Sequence, residues 1–504
     1  MTKVSAASHS IDDESQHRDS QAASEAGSVP DPTPPASRGL SGMALLVAGA
    51  FFMEYLDGTV IATALPQMAV SFGVAAIDLN IGMSAYLLTL AVLIPASGWV
   101  AERFGARQVF VAALAIFTLA SVLCGLTQTV PQFVMMRILQ GAGGAMMVPV
   151  GRLAVLRSTP KSQLIKAIAT LTWPALVAPI LGPPLGGFIT DYANWRWIFF
   201  INLPLGLFAM VAAVKLIPNP PLNCRPPFDA YGFIASAIAM LCLVYGLELT
   251  GSRHAELLLI IAWLVPGIVA MLLTLRHLKN ASQPMIRLDS LRILTFNVTM
   301  AGGSLFRMSI GAVPFLLPLM FQVGFGMDAL HAGVLVLAVF AGNLAMKPAT
   351  TPLIRLLGFK RLLLVNGTLS AMALLACAFL TPSTPDWLTM AVLFFGGLCR
   401  SMQFTGISTL AFADIPQDEM ANANTLFSTA IQLSIGLGIT IGAIGVRLGE
   451  HLTPLLGLEH LPGISYRLAF VLITLMSLIG LLDLLRLPAN AGEQVSRKTR
   501  PGVN

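Results

Sequence analysis

Long apolar runs alternate with short polar breaks from residue 42 to residue 486. A helix needs about 20 residues to cross the hydrocarbon layer of a bilayer. Runs of that kind lie at 42–66, 81–101, 108–127, 132–156, 166–190, 196–217, 230–249, 257–276, 294–321, 331–352, 362–381, 387–411, 422–448 and 467–486. The pattern predicts an all-α polytopic membrane protein of fourteen helices. Strand-like alternation is absent, so helices rather than a barrel are expected to satisfy the backbone in lipid. Residues 1–41 and 488–504 are polar and read as cytoplasmic tails. The first carries Asp12, Asp13, Glu14, Asp19, Glu25 and Asp31 among Ser, Ala and Pro, too polar to bury a core and without a signal-peptide pattern.

Composition agrees with this pattern. Apolar residues make up 56% of the 504 and charged residues only 11%, too few to cover a water-facing surface. Mean hydropathy is +0.78. A soluble enzyme, a disordered protein and a nucleic-acid binder are thereby excluded. The net charge of +6 comes from basic residues in loops. With the N-terminus inside, the inside connections and C-terminal tail hold 18 Lys and Arg and the outside connections hold Arg196, Arg253, Arg447 and Arg467. That bias places both termini in the cytoplasm.

An internal echo suggests two repeats. Ala101-Glu102-Arg103-Phe104-Gly105-Ala106-Arg107 follows span 2, and Ile354-Arg355-Leu356-Leu357-Gly358-Phe359-Lys360 follows span 10. Pro131 and Pro385 each open an outside turn at nearly the same offset. Two six-helix bundles, 42–217 and 294–487, separated by an inserted pair within 218–293, would give that register. Repeat halves around a midplane site are a transporter's architecture.

Charges inside spans are costly and need a reason. They are Glu54 and Asp57 in span 1, Arg137 and Arg152 in span 4, Arg307 in span 9 and Arg400 in span 12. Lys347, near the end of span 10, is expected to snorkel to the interface. Glu54 and Asp57 are three apart and share a helix face. Burial, a second carboxylate and a nearby arginine pull a carboxyl's proton affinity in opposite directions, which suits a proton carrier. The alternative is a static ion pair of Asp57 with Arg137. Arg307 either faces Glu54 across a cavity or holds a helix carbonyl, and Arg400 either lines the cavity or binds the carbonyl end of a broken helix.

Five motifs resemble one family. Leu56-Asp57-Gly58-Thr59-Val60-Ile61-Ala62-Thr63-Ala64-Leu65-Pro66 is similar to the first-helix motif of the fourteen-helix drug:proton antiporters of the major facilitator superfamily, the EmrB/QacA-like group. Gly98-Trp99-Val100-Ala101-Glu102-Arg103-Phe104-Gly105-Ala106-Arg107 resembles the superfamily's loop between helices 2 and 3. Arg137-Ile138-Leu139-Gln140-Gly141-Ala142-Gly143-Gly144 resembles its fourth-helix motif, and Gly182-Pro183-Pro184-Leu185-Gly186-Gly187 its fifth-helix antiporter motif. Asn194-Trp195-Arg196-Trp197 through Asn202-Leu203-Pro204 is similar to the group's sixth-helix opening.

The resemblance implies a proton-linked pair of Asp57 and Arg137. It implies a cytoplasmic gate of Gly98, Glu102, Arg103, Gly105 and Arg107, and a rocking contact at Gly182, Pro183, Gly186 and Gly187. Glu102 stands where the family has Asp, Ala106 where it has a basic residue, and Ala178 where it has Gly. Glu54 lies outside the motif.

Cofactors are not expected. No phosphate-binding G-x-x-x-x-G-K-[ST] run, zinc motif or clustered His/Cys set occurs. Cys124, Cys224, Cys242, Cys377 and Cys399 are scattered and read as reduced core residues. The expected function is proton-driven export of amphiphilic or lipophilic compounds across the inner membrane, with no nucleic-acid partner. A periplasmic adaptor is compatible with that reading, and oligomeric state stays open. A proton-coupled importer of the same fold, or a non-transporting sensor or scaffold, are the rival readings.

Overall fold

The structure is a computed structural model that describes residues 37–219, 227–251, 256–455, 457 and 461–496. Most of the expected N-terminal tail, residue Cys224 and residues 497–504 lie outside the described residues. Everything described is helix, turn or connection, with no strand among the described residues.

The first part of the chain contributes α1 (Ser37–Phe72), α2 (Asn80–Leu93), α3 (Ser97–Phe104), α4 (Ala106–Leu126), α5 (Val130–Ser158), α6 (Leu164–Thr172), α7 (Pro174–Tyr192), α8 (Trp197–Phe200) and α9 (Asn202–Leu216). A hairpin follows, α10 (Ala230–Gly251) and α11 (Leu257–Asn280). The last part contributes α12 (Leu294–Leu319), α13 (Ala329–Ala345), α14 (Lys347–Leu357), α15 (Phe359–Ala378), α16 (Asp386–Ala413), α17 (Met420–Leu455), α18 (Ile464–Leu484) and the short α19 (Glu493–Ser496).

The breaks follow from residue type. Gly105 separates α3 from α4 at φ 90°, and Gly358 separates α14 from α15 at φ 72°. Both values are open to glycine and strained for other residues. The two loops that echo each other in sequence therefore turn by the same backbone device. Pro131 stands in the first turn of α5 and Pro385 is the N-cap of α16, so the second echoed pair also occupies matching helix starts.

Twelve helices among the described residues are long and apolar enough to cross a bilayer, and α13 with α14, bent by 51°, can make a thirteenth. The remaining expected span, 166–190, comes instead as α6 and α7, which meet at Trp173 and Pro174. Only Ile180–Thr190 within α7 is a sustained apolar helix there, and it is shorter than a span. Proline removes a backbone donor, which interrupts the hydrogen-bond ladder at Pro174, while Trp173 keeps helical dihedrals (φ −65°, ψ −34°) and the chain continues in the same conformation.

Apolar cores form on each side of the molecule. Leu56, Val60, Phe133, Trp195 and Phe199 pack together among the N-terminal helices, and Leu316, Phe321, Leu335 and Phe470 among the C-terminal ones. Trp195 is thus a core residue, whereas Trp197, two residues on in the same motif, is exposed. α10 packs on both α2 and α17, while α11 leaves Leu257, Leu258 and Leu272 exposed on its outer face. Such a surface suits lipid.

Asp229 ties the hairpin down. Its carboxylate accepts from the amides of Gly232 (2.8 Å) and Met285 (3.1 Å) and meets His277 Nε2 at 2.9 Å. Burial raises the Asp229 carboxyl, but these hydrogen bonds outweigh it and hold the group below the usual range. The segment after α18, expected to begin a tail at 488, is docked instead: Leu487, Ala491 and Val495 are buried, and Gly492 lies against Phe359 and Leu410. Three apolar side chains on that short stretch provide the anchorage.

Candidate functional site

Asp57 lies mid-way along α1, 3% exposed, and α5 brings Arg137 to it. Arg137 Nη1 donates to Asp57 Oδ2 at 2.7 Å, in an ion pair whose side chains are 1% and 0% exposed. Two neutral amides complete the cage. Gln140 Nε2 donates to Asp57 Oδ1 at 2.9 Å and its Oε1 accepts from Arg137 at 2.7 Å. Asn202 Nδ2, at the start of α9, donates to Asp57 Oδ1 at 3.3 Å and to Ser121 Oγ at 2.9 Å. The Arg137 guanidinium also lies 4.2 Å from the Tyr86 ring centroid. A buried ion pair is costly unless its remaining polar atoms are satisfied; here both carboxylate oxygens are, while the Nε–H of Arg137 is buried without an acceptor.

Glu54, one turn earlier, is arranged differently. Its Oε2 is buried without a hydrogen-bond partner, and the charges acting on it are Asp57 and Arg152. Arg152, lower on α5, is half-buried and donates to Ser428 Oγ on α17 at 3.2 Å. Its guanidinium carbon is 5.5 Å from the centroid of Phe427, and that of Arg307 on α12 is 4.9 Å from the same centroid. Arg307 is 2% exposed and donates to the Thr299 carbonyl through Nη1 at 3.1 Å and Nη2 at 3.0 Å. Of its two expected roles, the helix-carbonyl role is the one observed. Arg400 lines a small apolar cavity of about 40 Å³ with Phe306, Leu317, Leu374 and Leu393.

Hydrogen bonds between N-terminal and C-terminal helices gather at the end that carries the Gly105 and Gly358 loops. Lys161 Nζ donates to the carbonyls of Phe412 (2.9 Å) and Ile415 (2.8 Å). Burial holds that amine below the usual lysine range against the opposing charge of Asp414. Asn424 Nδ2 donates to the Pro149 carbonyl at 2.9 Å. Lys347 Nζ donates to Thr172 Oγ1 at 2.6 Å and Thr405 Oγ1 at 3.1 Å. The expected snorkelling of Lys347 is corrected: the α13–α14 bend turns it inward, where hydroxyls from both sides receive it.

Gly98 on α3 lies so close to α17 that a Cβ would meet Thr425 and come within 3.2 Å of the Ala421 carbonyl. Glu102 pairs with Arg157 at 3.4 Å, within the N-terminal helices and partly exposed. The approach of the two sides at this loop is therefore made by Gly98. Beside Glu102 and Arg157 opens a cavity of about 1600 Å³, lined also by Trp99, Lys279, Arg287 and Arg292. Arg103 and Arg107 stand on either side of Gly105, at the ends of α3 and α4.

On α7, a Cβ at Gly182 would lie 2.8 Å from Thr59 Cβ, and one at Gly186 2.9 Å from the Val60 carbonyl. Thr59 Oγ1 donates to the Ala178 carbonyl at 3.3 Å. These glycines let α7 press on the turn of α1 that follows Asp57. Gly187 has open space where its Cβ would be, so it takes no part in this contact. Pro183 is on the same helix, and its side chain lies outside the described residues.

With these helices in view, the sequence profile of the Major Facilitator Superfamily matches residues 47–439. The chain belongs to that superfamily. It is 36% identical to a protein of Escherichia coli O139:H28 (strain E24377A / ETEC) provisionally named multidrug resistance protein MdtD, over 82% of this chain and 86% of the relative. A protein with the same name from Pectobacterium carotovorum subsp. carotovorum (strain PC1) is 36% identical over 86% of this chain and 94% of the relative. Among solved structures, the human organic anion transporter MFSD10 (TETRAN) superposes with a TM-score of 0.61 at 15% identity, over 90% of this chain and 100% of that one. The proton:xylose symporter XylE gives 0.57 at 15% identity, over 88% and 95%. These two likenesses establish the fold.

As a superfamily transporter, not an enzyme, the chain is a multi-pass membrane protein. Sequence reasoning placed Asp57 and Arg137 in the same membrane but gave no role to Gln140, Asn202, Ser121 or Tyr86. A signal existed for two of them. Gln140 is three residues from Arg137 on one helix face, and Asn202 is an amide inside an apolar run. Phe427 and Ser428 carried no signal, because an aromatic and a serine are ordinary in an apolar helix.

Proposed function

We propose that this chain is a proton-coupled exporter of amphiphilic or lipophilic compounds, a multidrug efflux transporter working by alternating access in the inner (cytoplasmic) membrane with both termini cytoplasmic. The observation that carries the reading is the Asp57 carboxylate, caged by Arg137, Gln140 and Asn202 where the bundle is otherwise apolar. The names of the MdtD relatives support export over import.

In the proposed cycle the proton gradient drives exchange and no cofactor takes part. A proton taken by Asp57 removes the charge that Arg137 and the two amides hold, and the cage loosens. Because α7 lies against the turn after Asp57 through Gly182 and Gly186, the loosening reaches the contact between the two six-helix halves. Glu54, with one oxygen free of partners and within reach of the Asp57 charge, passes the proton to and from Asp57. Gly98 and the Glu102–Arg107 loop, with Lys161 and Asn424, close the loop end of the molecule; substrate leaves or enters when these contacts part.

Everted membrane vesicles test this. With a gradient acidic inside, they should accumulate a lipophilic substrate, and collapse of the gradient with an ionophore should abolish accumulation. Asp57→Asn should end both accumulation and substrate-induced proton release from purified protein. Release of protons by Asp57→Asn on adding substrate would remove Asp57 from the coupling role. Accumulation only in right-side-out vesicles would make the protein an importer.

A further inference from the structure

Two arginines, one from each side of the molecule, lie over a single aromatic ring. Arg152 comes from α5 and Arg307 from α12, and both guanidinium carbons are within 5.5 Å of the centroid of Phe427 on α17. They act on each other as like charges. Among the described residues, no carboxylate lies within ion-pair distance of either one. Arg307 spends its two Nη groups on one helix carbonyl and keeps a buried Nε–H without an acceptor. Arg152 has a serine hydroxyl as its hydrogen-bond acceptor.

In a low-dielectric interior such a pair repels, and each cation would ordinarily be matched by an anion. The ring faces compensate part of that charge. The carboxylate acting on Arg152 is Glu54, and it is not hydrogen-bonded to it. Even with Glu54 ionised, two cations face one anion, and the cluster keeps an excess positive charge. At Asp57 the protein itself supplies partners to both carboxylate oxygens and an anion to the buried cation, although Arg137 Nε–H, like that of Arg307, is buried without an acceptor. At Arg152 and Arg307 it supplies the cations and leaves the anion out.

We propose that the pair Arg152 and Arg307, with Ser428 and the ring of Phe427, forms a site for the anionic group of an amphiphilic substrate, a carboxylate or sulfonate joined to an apolar body. A planar oxyanion accepts from guanidinium N–H groups in pairs, and the apolar body lies along Phe51 and Phe427. Since the arginines belong to opposite sides of the molecule, the bound anion bridges them, and rocking changes their spacing. This assignment of substrate class rests on the export reading above.

The test uses purified full-length protein in phosphatidylcholine nanodiscs with three fluorescent probes on one scaffold: 11-(dansylamino)undecanoic acid, its primary amide, and the amine dansylcadaverine. Expected is binding of the acid tighter than either other probe by about tenfold or more, a ratio that one ionic contact supplies. Arg152→Gln should remove that preference, and Arg152→Lys should restore part of it. Arg152 is half-buried, and a wild-type elution profile and Tm in detergent certify a folded variant. Equal binding of acid and amide, no binding of the acid, or preference for the amine would overturn the proposal. So would loss of acid binding when phosphatidylglycerol replaces part of the lipid, since the occupant would then be a lipid headgroup. Binding needs no gradient, so failure here leaves the export reading to the vesicle assay, and failure of vesicle transport leaves this binding test intact.

Discussion

The caged Asp57 and the arginine pair at Phe427 are two ways of keeping charge inside an apolar bundle. Around Asp57, α1, α5 and α9 contribute one cation and two amides, and both carboxylate oxygens are satisfied. Around Arg152 and Arg307, α5, α12 and α17 contribute two cations, one hydroxyl, one carbonyl and one ring. The first arrangement lies within the N-terminal helices; the second spans both sides of the molecule. A charge that is compensated internally is held in place and is released by changing its protonation. A charge that is not compensated is completed by whatever enters. On that difference rest the coupling role proposed for Asp57 and the binding role proposed for the arginine pair.

The largest test of this contrast removes the compensated anion. Asp57→Leu leaves Arg137 buried without its partner, and the expected loss is about 3–5 kcal/mol of stability, read as a lowered Tm in detergent. A variant as stable as the wild type would show that the cage does not hold these helices together. Next comes Gln140→Leu, which strips one donor from Asp57 and one acceptor from Arg137. Two charge-assisted hydrogen bonds are lost, and about 1.5–3 kcal/mol should go with them.

Arg152→Leu is the converse experiment. It deletes an uncompensated cation, so stability should stay within about 1 kcal/mol of the wild type or rise. A loss as large as that of Asp57→Leu would erase the distinction between the two sites.

The smallest effect sharpens the comparison outside the membrane. Asp229 is also a compensated carboxylate, and its folded-state proton affinity is depressed. Its contribution is therefore fully present above the ordinary aspartate value of 3.8 and disappears as pH falls through the lower folded value. Amide exchange at Met285 should be constant from neutral pH down to about 4 after correction for intrinsic rate, and should quicken only below it. Asp229→Asn should give the quickened rate at neutral pH.

How far the sequence reaches can be judged from single residues. Gly105 and Gly358 were legible, because a repeated loop with glycine at the same offset demands the same positive φ wherever it folds. Arg137 was legible as a partner of Asp57 through motif resemblance and through the cost of leaving either alone in lipid. The span at 166–190 was legible as apolar, while the loss of one backbone donor at Pro174, which divides it into α6 and α7, is something hydropathy does not register. Lys347 was misread for a related reason: its distance from the helix end suggested snorkelling, whereas a bend between α13 and α14 points it at Thr172 and Thr405.

By itself the sequence determined that this protein lives in a bilayer, that it is helical, and which few charges are inside it. Those properties depend on local composition and on the cost of an unpaired charge or peptide group in hydrocarbon. Only the tertiary structure decided which charges meet. Asp57 and Arg137 are 80 residues apart and Arg152 and Ser428 are 276 apart, so their encounter depends on how helices rotate and pack. Small-residue contacts such as Gly98 on α17 and Gly186 on α1 set that packing. Close contact between helices is where the low charge content seen in the sequence becomes a caged carboxylate in one place and a pair of arginines over one ring in another.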